Sequence, residues 1–220
     1  MKTILITGAS RGIGKALAKR FINNGDFVIG TSTTDKANWN NKNLKIFKLN
    51  LAEEKSIEDC AKQIRKLNKK INVLINNAGI VVEDEINKTN IDIKYLRETL
   101  EVNLIGTINF TERVIPLMYL GGHIINISSA AGSLQGPYRE NYPCYRISKV
   151  ALNMVTRILA LRLDEKITVS SVHPGWVKTD MGGEEADMEP EEAAEYIFKL
   201  ANSNIETGQF WFKGKKFYPW

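Results

Sequence analysis

The chain has 220 residues, 43% hydrophobic and 25% charged, which suits a soluble globular protein with one sizeable core. No apolar run approaches the ~20 residues of a membrane-spanning helix, and "MKTILITGAS" lacks the apolar core of a secretion signal, so a cytoplasmic location is expected and residues 1–220 read as a single domain. The net charge of +5 concentrates Lys and Arg in the first third, but without interleaved aromatics, which argues against a nucleic-acid surface.

Short apolar, β-rich runs alternate with amphipathic stretches from end to end. The expected strands are "TILIT" (3–7), "FVIGT" (27–31), "KIFKL" (45–49), "NVLIN" (72–76), "HIINIS" (123–128), "TVSSVH" (168–173) and "GQFWF" (208–212). Most are apolar on both faces, as buried parallel strands are. Helical patterns lie at 12–23, 53–69, 92–119, 142–163 and 190–202. Pro190 suits a first helical turn, and Pro116 should end or kink the third helix. This order predicts an α/β, doubly wound fold: a seven-stranded parallel sheet with helices on both faces.

Cys60 and Cys144 are too few for a disulfide framework, and with His123 and His173 they give no zinc spacing, so no metal is expected. The first strand is followed by "TGASRGIG", with Gly8, Gly12 and Gly14 in the turn and helix opening. Glycines there let the backbone approach a pyrophosphate, which a helix N-terminus attracts through free N–H groups. The spacing, Gly-x-x-x-Gly-x-Gly, differs from the commoner dinucleotide fingerprint. Three further stretches sit on the same rim of the sheet: "NNAG" (76–79), "INISSAAG" (125–132) and "HPGWVKTDM" (173–181). "YRISK" (145–149) opens the next helix, with Tyr145 and Lys149 one turn apart on one face.

Together and in this order, these motifs resemble the short-chain dehydrogenase/reductase family along essentially the whole chain. "SVHPGWVKTDMGG" (171–183) and "KKFYPW" (215–220) are similar to the branch of sniffer-like carbonyl reductases and C-factor. The resemblance implies a catalytic tetrad of Asn103, Ser129, Tyr145 and Lys149. Tyr145 would be the acid/base, Ser129 would hydrogen-bond the carbonyl oxygen, Asn103 would hold a water in a proton relay, and Lys149 would also bind the nicotinamide ribose. It assigns cofactor contacts to Gly8, Ser10, Arg11, Gly12, Ile13, Gly14, Thr33, Asn50, Leu51, Asn77, Ala78, Gly79, Tyr145, Lys149, Pro174, Gly175, Val177 and Thr179. A neighbouring ammonium favours phenolate, so Lys149 is expected to lower the tyrosine pKa from its usual ~10.

NADPH is the expected cofactor. Ser32 takes the place of the acid that NAD-specific members use on the ribose 2′-hydroxyl, Arg11 offers a guanidinium fork to a 2′-phosphate, and Asp35 lies further along. The expected reaction is pro-S hydride transfer to a small aldehyde, ketone or quinone. Two alternatives are a 3-oxoacyl-carrier-protein reductase and a C-factor-like regulatory protein that binds dinucleotide and acts through a partner. A homodimer or homotetramer is compatible, although the long Ser129–Tyr145 loop clouds the family's helix–helix dimerisation. The short stretch from Thr179 to Pro190 suggests an open pocket. His173 and Trp176 read equally as core or as pocket rim, and Cys144 as a packed small residue.

Overall fold

In the computed structural model the described residues are 1–34, 36, 39–135, 140–164, 166–213, 215–216 and 219–220, the last strand pair by backbone alone. Asp35 and part of "KKFYPW" therefore lie outside the described residues. The strands are β1 (Thr3–Ile6), β2 (Phe27–Ser32), β3 (Leu44–Lys48), β4 (Ile71–Asn76), β5 (Met118–Ile127), β6 (Ile167–His173), β7 (Gln209–Phe212) and β8 (Lys215–Lys216). They form one sheet in the order β3-β2-β1-β4-β5-β6-β7-β8. The first seven pair in parallel, as expected, and the two-residue β8 adds an antiparallel edge on β7. The chain runs outward from β1 to β3, then returns to place β4 on the other side of β1. That reversal opens a crevice beyond the carboxyl ends of β1 and β4, where ligands bind in sheets of this kind.

Side chains alternate across the sheet, so each strand feeds two cores. Ile4, Ile6 and Val28 pack with Leu17 and Phe21 of α1 (Gly12–Asn23) and with Ile197 and Phe198 of α6 (Pro190–Ala201). Leu5, Ile29 and Leu74 face the opposite way, onto Ile57 of α2 (Glu54–Lys66), Phe110 of α4 (Thr107–Val114) and Leu159 of α5 (Pro143–Arg162). Burial on both faces is why these strands read as continuous apolar runs.

The third expected helix, 92–119, is divided. It runs as α3 (Ile93–Leu100), a π-helical turn over Glu101–Gly106, α4, and a 3₁₀ turn over Ile115–Leu117 that holds Pro116. β5 then starts at Met118 rather than at 123. The π turn has a packing counterpart in Gly106: a Cβ there would stand 1.9 Å from the Leu51 carbonyl oxygen. The segment after β3 presses directly on the helix backbone at that point. Asp92 caps α3 by accepting from Lys94 N at 2.8 Å, and a Glu189–Glu192 capping box with Pro190 opens α6.

Candidate active site

The glycine turn is held from beside by Asn77 at the end of β4. Its Nδ2 donates to the carbonyls of Thr7 and Gly8 at 2.9 and 3.2 Å, while Thr7 Oγ1 accepts from the N–H groups of Asn77 and Ala78 at 2.9 Å each. Gly8 has φ +70°, and a Cβ on Gly14 would lie 2.1 Å from the Gly8 oxygen. Turn and helix therefore approach more closely than any side chain allows. Arg11 precedes α1 without a side-chain cap, and no acid sits in the first turn, so that helix end is left open to an anion.

The other cofactor candidates gather around this rim. Ile13, Pro174, Gly175, Val177 and Thr179 line one cavity of about 560 Å³ together with Ser129 and Tyr145. Thr179 reaches over the turn, 3.1 Å from where a Gly12 Cβ would stand. Ser10 is half-buried beside the turn, whereas Thr33 is exposed beyond β2. Buried Ser32 is committed locally, its hydroxyl donating to Lys36 O at 3.0 Å. Asn50 is tied to its own loop through Ser56, Glu53 and Ala52, and Leu51 is buried against Gly106. The Arg11 guanidinium pairs with Asp180 in the segment after β6, and both side chains are well exposed.

Three of the four expected catalytic residues face one another. The Ser129 hydroxyl hydrogen-bonds the Tyr145 phenol and accepts from Ala131 N at 3.1 Å. Lys149 is buried, and its ammonium lies 5.5 Å from the centre of the Tyr145 ring and donates to Ile127 O at 2.8 Å. Gly79 lies against this cluster: a Cβ there would stand 3.1 Å from Asn103 Oδ1 and 3.6 Å from Lys149 Nζ. Asn103 is buried in the π turn. It accepts from Ile80 N at 2.8 Å and donates to Ile80 O at 2.9 Å and Ser148 Oγ at 3.1 Å. Both its amide hydrogens are committed to tying the loop after β4 onto α5.

Titration here departs from expectation. Burial pushes the Tyr145 phenol up to about 12, the Ser129 hydrogen bond pulling the other way. The ammonium of Lys149 is itself lowered to about 8 by burial. Desolvation outweighs the anticipated tuning, since burial is the largest cause of both shifts.

Glu85, Ser148, Tyr142 and Arg146 complete the surroundings, and sequence reasoning missed all four. Glu85 is a buried carboxylate that accepts from Tyr145 N at 3.0 Å and Cys144 N at 3.2 Å. It supplies the cap that Tyr142, in the left-handed region at φ +42°, does not. Ser148 donates to Tyr145 O at 2.7 Å. "VVEDEINK" carries no signal that singles out its third acid; only the fold brings it to α5. His173 and Trp176 both line the cavity. His173 is stacked on Phe212 with ring centres 4.8 Å apart and is lowered to about 4 by burial and nearby Lys213. Trp176 is 54% exposed and donates through Nε1 to Gly182 O at 2.8 Å, which settles it on the rim. Cys144 is packed, with its thiol raised to about 11 by burial and by Glu85.

A glycine turn at the sheet's reversal and a Ser–Tyr–Lys cluster facing it define a dinucleotide-dependent oxidoreductase site in outline. The model of the short chain dehydrogenase family matches residues 2–190, and this chain belongs to that family. It is 33% identical to a 3-oxoacyl-acyl-carrier-protein reductase of Haemophilus influenzae, over 82% of this chain and 76% of the relative. Among solved structures, the carbonyl reductase Sniffer of D. melanogaster matches with a TM-score of 0.88 at 28% identity, covering 100% of both chains. An NADPH-bound carbonyl reductase from chicken fatty liver matches with a TM-score of 0.87 at 29% identity, covering 100% of this chain and 99% of that one.

Proposed function

We propose that the protein is an NADPH-dependent carbonyl reductase acting on small aldehydes, ketones or quinones. The observation that carries this reading is that Ser129 and Tyr145 line one cavity beside the glycine turn, with the buried Lys149 ammonium 5.5 Å from the centre of the Tyr145 ring. These residues fit a nicotinamide dinucleotide. The open N-terminus of α1 suits the pyrophosphate, and an ammonium has three donors of which Lys149 directs one to Ile127 O, leaving two for ribose hydroxyls. When bound, NADPH supplies the hydride that reduces the carbonyl carbon.

The chain's own groups handle the oxygen. Ser129 donates to it as negative charge develops, and Tyr145 delivers the proton. With its pKa near 12 the phenol is fully protonated at neutral pH, so it arrives at the reaction as an acid. Lys149, charged below about 8, stabilises the phenolate left behind. Asn103 and Ser148 hold the loop after β4 against the catalytic helix. Likeness to the Haemophilus influenzae reductase supports 3-oxoacyl thioesters as a second substrate class. Measuring NADPH oxidation with quinones, α-diketones, aldehydes and acyl-thioester mimics separates the two readings, and no turnover with any of them counts against both.

The proposal includes a single domain, a cytoplasmic setting and self-association. Among the described residues no helix is long and apolar enough to cross a membrane. Ile147, Met154, Ile158 and Leu161 leave an apolar stripe exposed along α5, a surface on which a homodimer or homotetramer would close. Sedimentation of wild type against Leu161→Glu tests this.

A further inference from the structure

Arg146 stands next to Tyr145 on the first turn of α5, and both line the cavity. Its Nε donates to Asn141 O at 3.0 Å, and its guanidinium carbon lies 5.0 Å from the centre of the Tyr142 ring. That ring meets Tyr145 edge-on at 6.0 Å between centres. The fork is thus positioned by one backbone acceptor and one aromatic face, while no carboxylate among the described residues pairs with it.

The rest of the cavity is nearly uncharged. Ile13, Val81, Ile86, Trp176 and Met181 give it apolar walls, and no Asp or Glu is found in its described lining. His173 is neutral at physiological pH, since burial holds it near 4. Arg146 is therefore the one formal charge in the described lining, set beside the proton donor. It also occupies the end of a helix where a cation is disfavoured by the dipole, so its position is not explained by helix stability. A guanidinium in an apolar cavity binds a carboxylate through two parallel, charge-assisted hydrogen bonds.

We infer that Arg146 is a substrate-binding residue and that the preferred substrate is a carbonyl compound bearing a carboxylate. This rests on the reductase reading above and narrows its substrate class.

The test compares 4-carboxybenzaldehyde with its methyl ester, which keeps the ring and the aldehyde and removes the charge. Wild type should favour the carboxylate in kcat/KM by roughly tenfold or more, as a hydrogen bond to a charged group implies. R146Q should bring that ratio close to one, and R146K, which keeps the charge without the fork, should fall between. Equal wild-type rates for the two aldehydes, or an unchanged ratio in R146Q, would overturn the inference. Calorimetric binding of the two corresponding benzyl alcohols to wild type and R146Q separates its failure from failure of the reductase reading. Tighter, Arg146-dependent binding of the carboxylated alcohol without aldehyde turnover would sustain the anion site and sink the reductase. Turnover of both aldehydes with no discrimination in rate or binding would do the reverse.

Discussion

Oε1 of Glu85 accepts the backbone N–H of Tyr145 at 3.0 Å, so a residue of the loop after β4 fixes the first turn of the helix that carries the proposed acid. Its other oxygen takes Cys144 N, which leaves the carboxylate bidentate and buried. Glu85→Ala should lower stability by about 0.5–2 kcal/mol, the usual cost of a lost N-cap. It should also reduce kcat by roughly ten- to a hundredfold through displacement of the phenol, with NADPH affinity largely kept. Thermal melts and steady-state kinetics check both halves, and a melting shift with kcat intact would reduce Glu85 to a structural cap.

Lys149→Met separates chemistry from stability. The folded pKa near 8 lies below the unfolded value of 10.5, so the folded protein pays for this charge at neutral pH and regains stability as pH rises between the two values. The methionine variant should melt no lower than wild type at pH 7 while losing both turnover and NADPH affinity. In wild type, kcat/KM should fall as pH rises through about 8, where the ammonium is lost. A flat profile from pH 7 to 9 would contradict the role given to Lys149.

Arg11 and Asp180 form an exposed pair, and such pairs contribute little to stability, about 0–1 kcal/mol. The guanidinium can therefore exchange Asp180 for a 2′-phosphate at small cost. Arg11→Ala should weaken NADPH binding roughly tenfold or more and leave NADH nearly unchanged, whereas Asp180→Asn should tighten NADPH alone. Equal losses for both cofactors in Arg11→Ala would remove the 2′-phosphate from its role.

Trp176 is half in solvent and anchored to Gly182 O, so Trp176→Ala should raise KM or shift substrate preference with little change in melting temperature. A marked fall in stability with unaltered kinetics would place the ring in the core instead.

Legibility followed periodicity. The seven parallel strands and most helices are written in apolar runs and helical faces, whereas the glycine turn and Tyr145–Lys149 stood out only through the resemblance carried by several motifs in order. The division of 92–119 was hidden because its side-chain pattern continues through a π turn; what distinguishes it is the backbone approach of Leu51 to Gly106, a contact between segments far apart in sequence. Glu85 was hidden for the same reason, as one acid among three whose burial is decided by where the loop lands. The sign of the tyrosine shift also needed the fold, because the desolvation that dominates it is set by burial, which spacing in the sequence does not give.

The account stands most directly on Tyr145 as the proton donor. Tyr145→Phe keeps the ring and removes the hydroxyl, and loss of general-acid catalysis is worth roughly 10²–10⁴-fold. The measurement is turnover of the best carbonyl substrate by this variant, with the NADPH dissociation constant determined on the same preparation. The predicted result is a collapse of kcat by that factor with cofactor affinity preserved; near-wild-type turnover would contradict the mechanism.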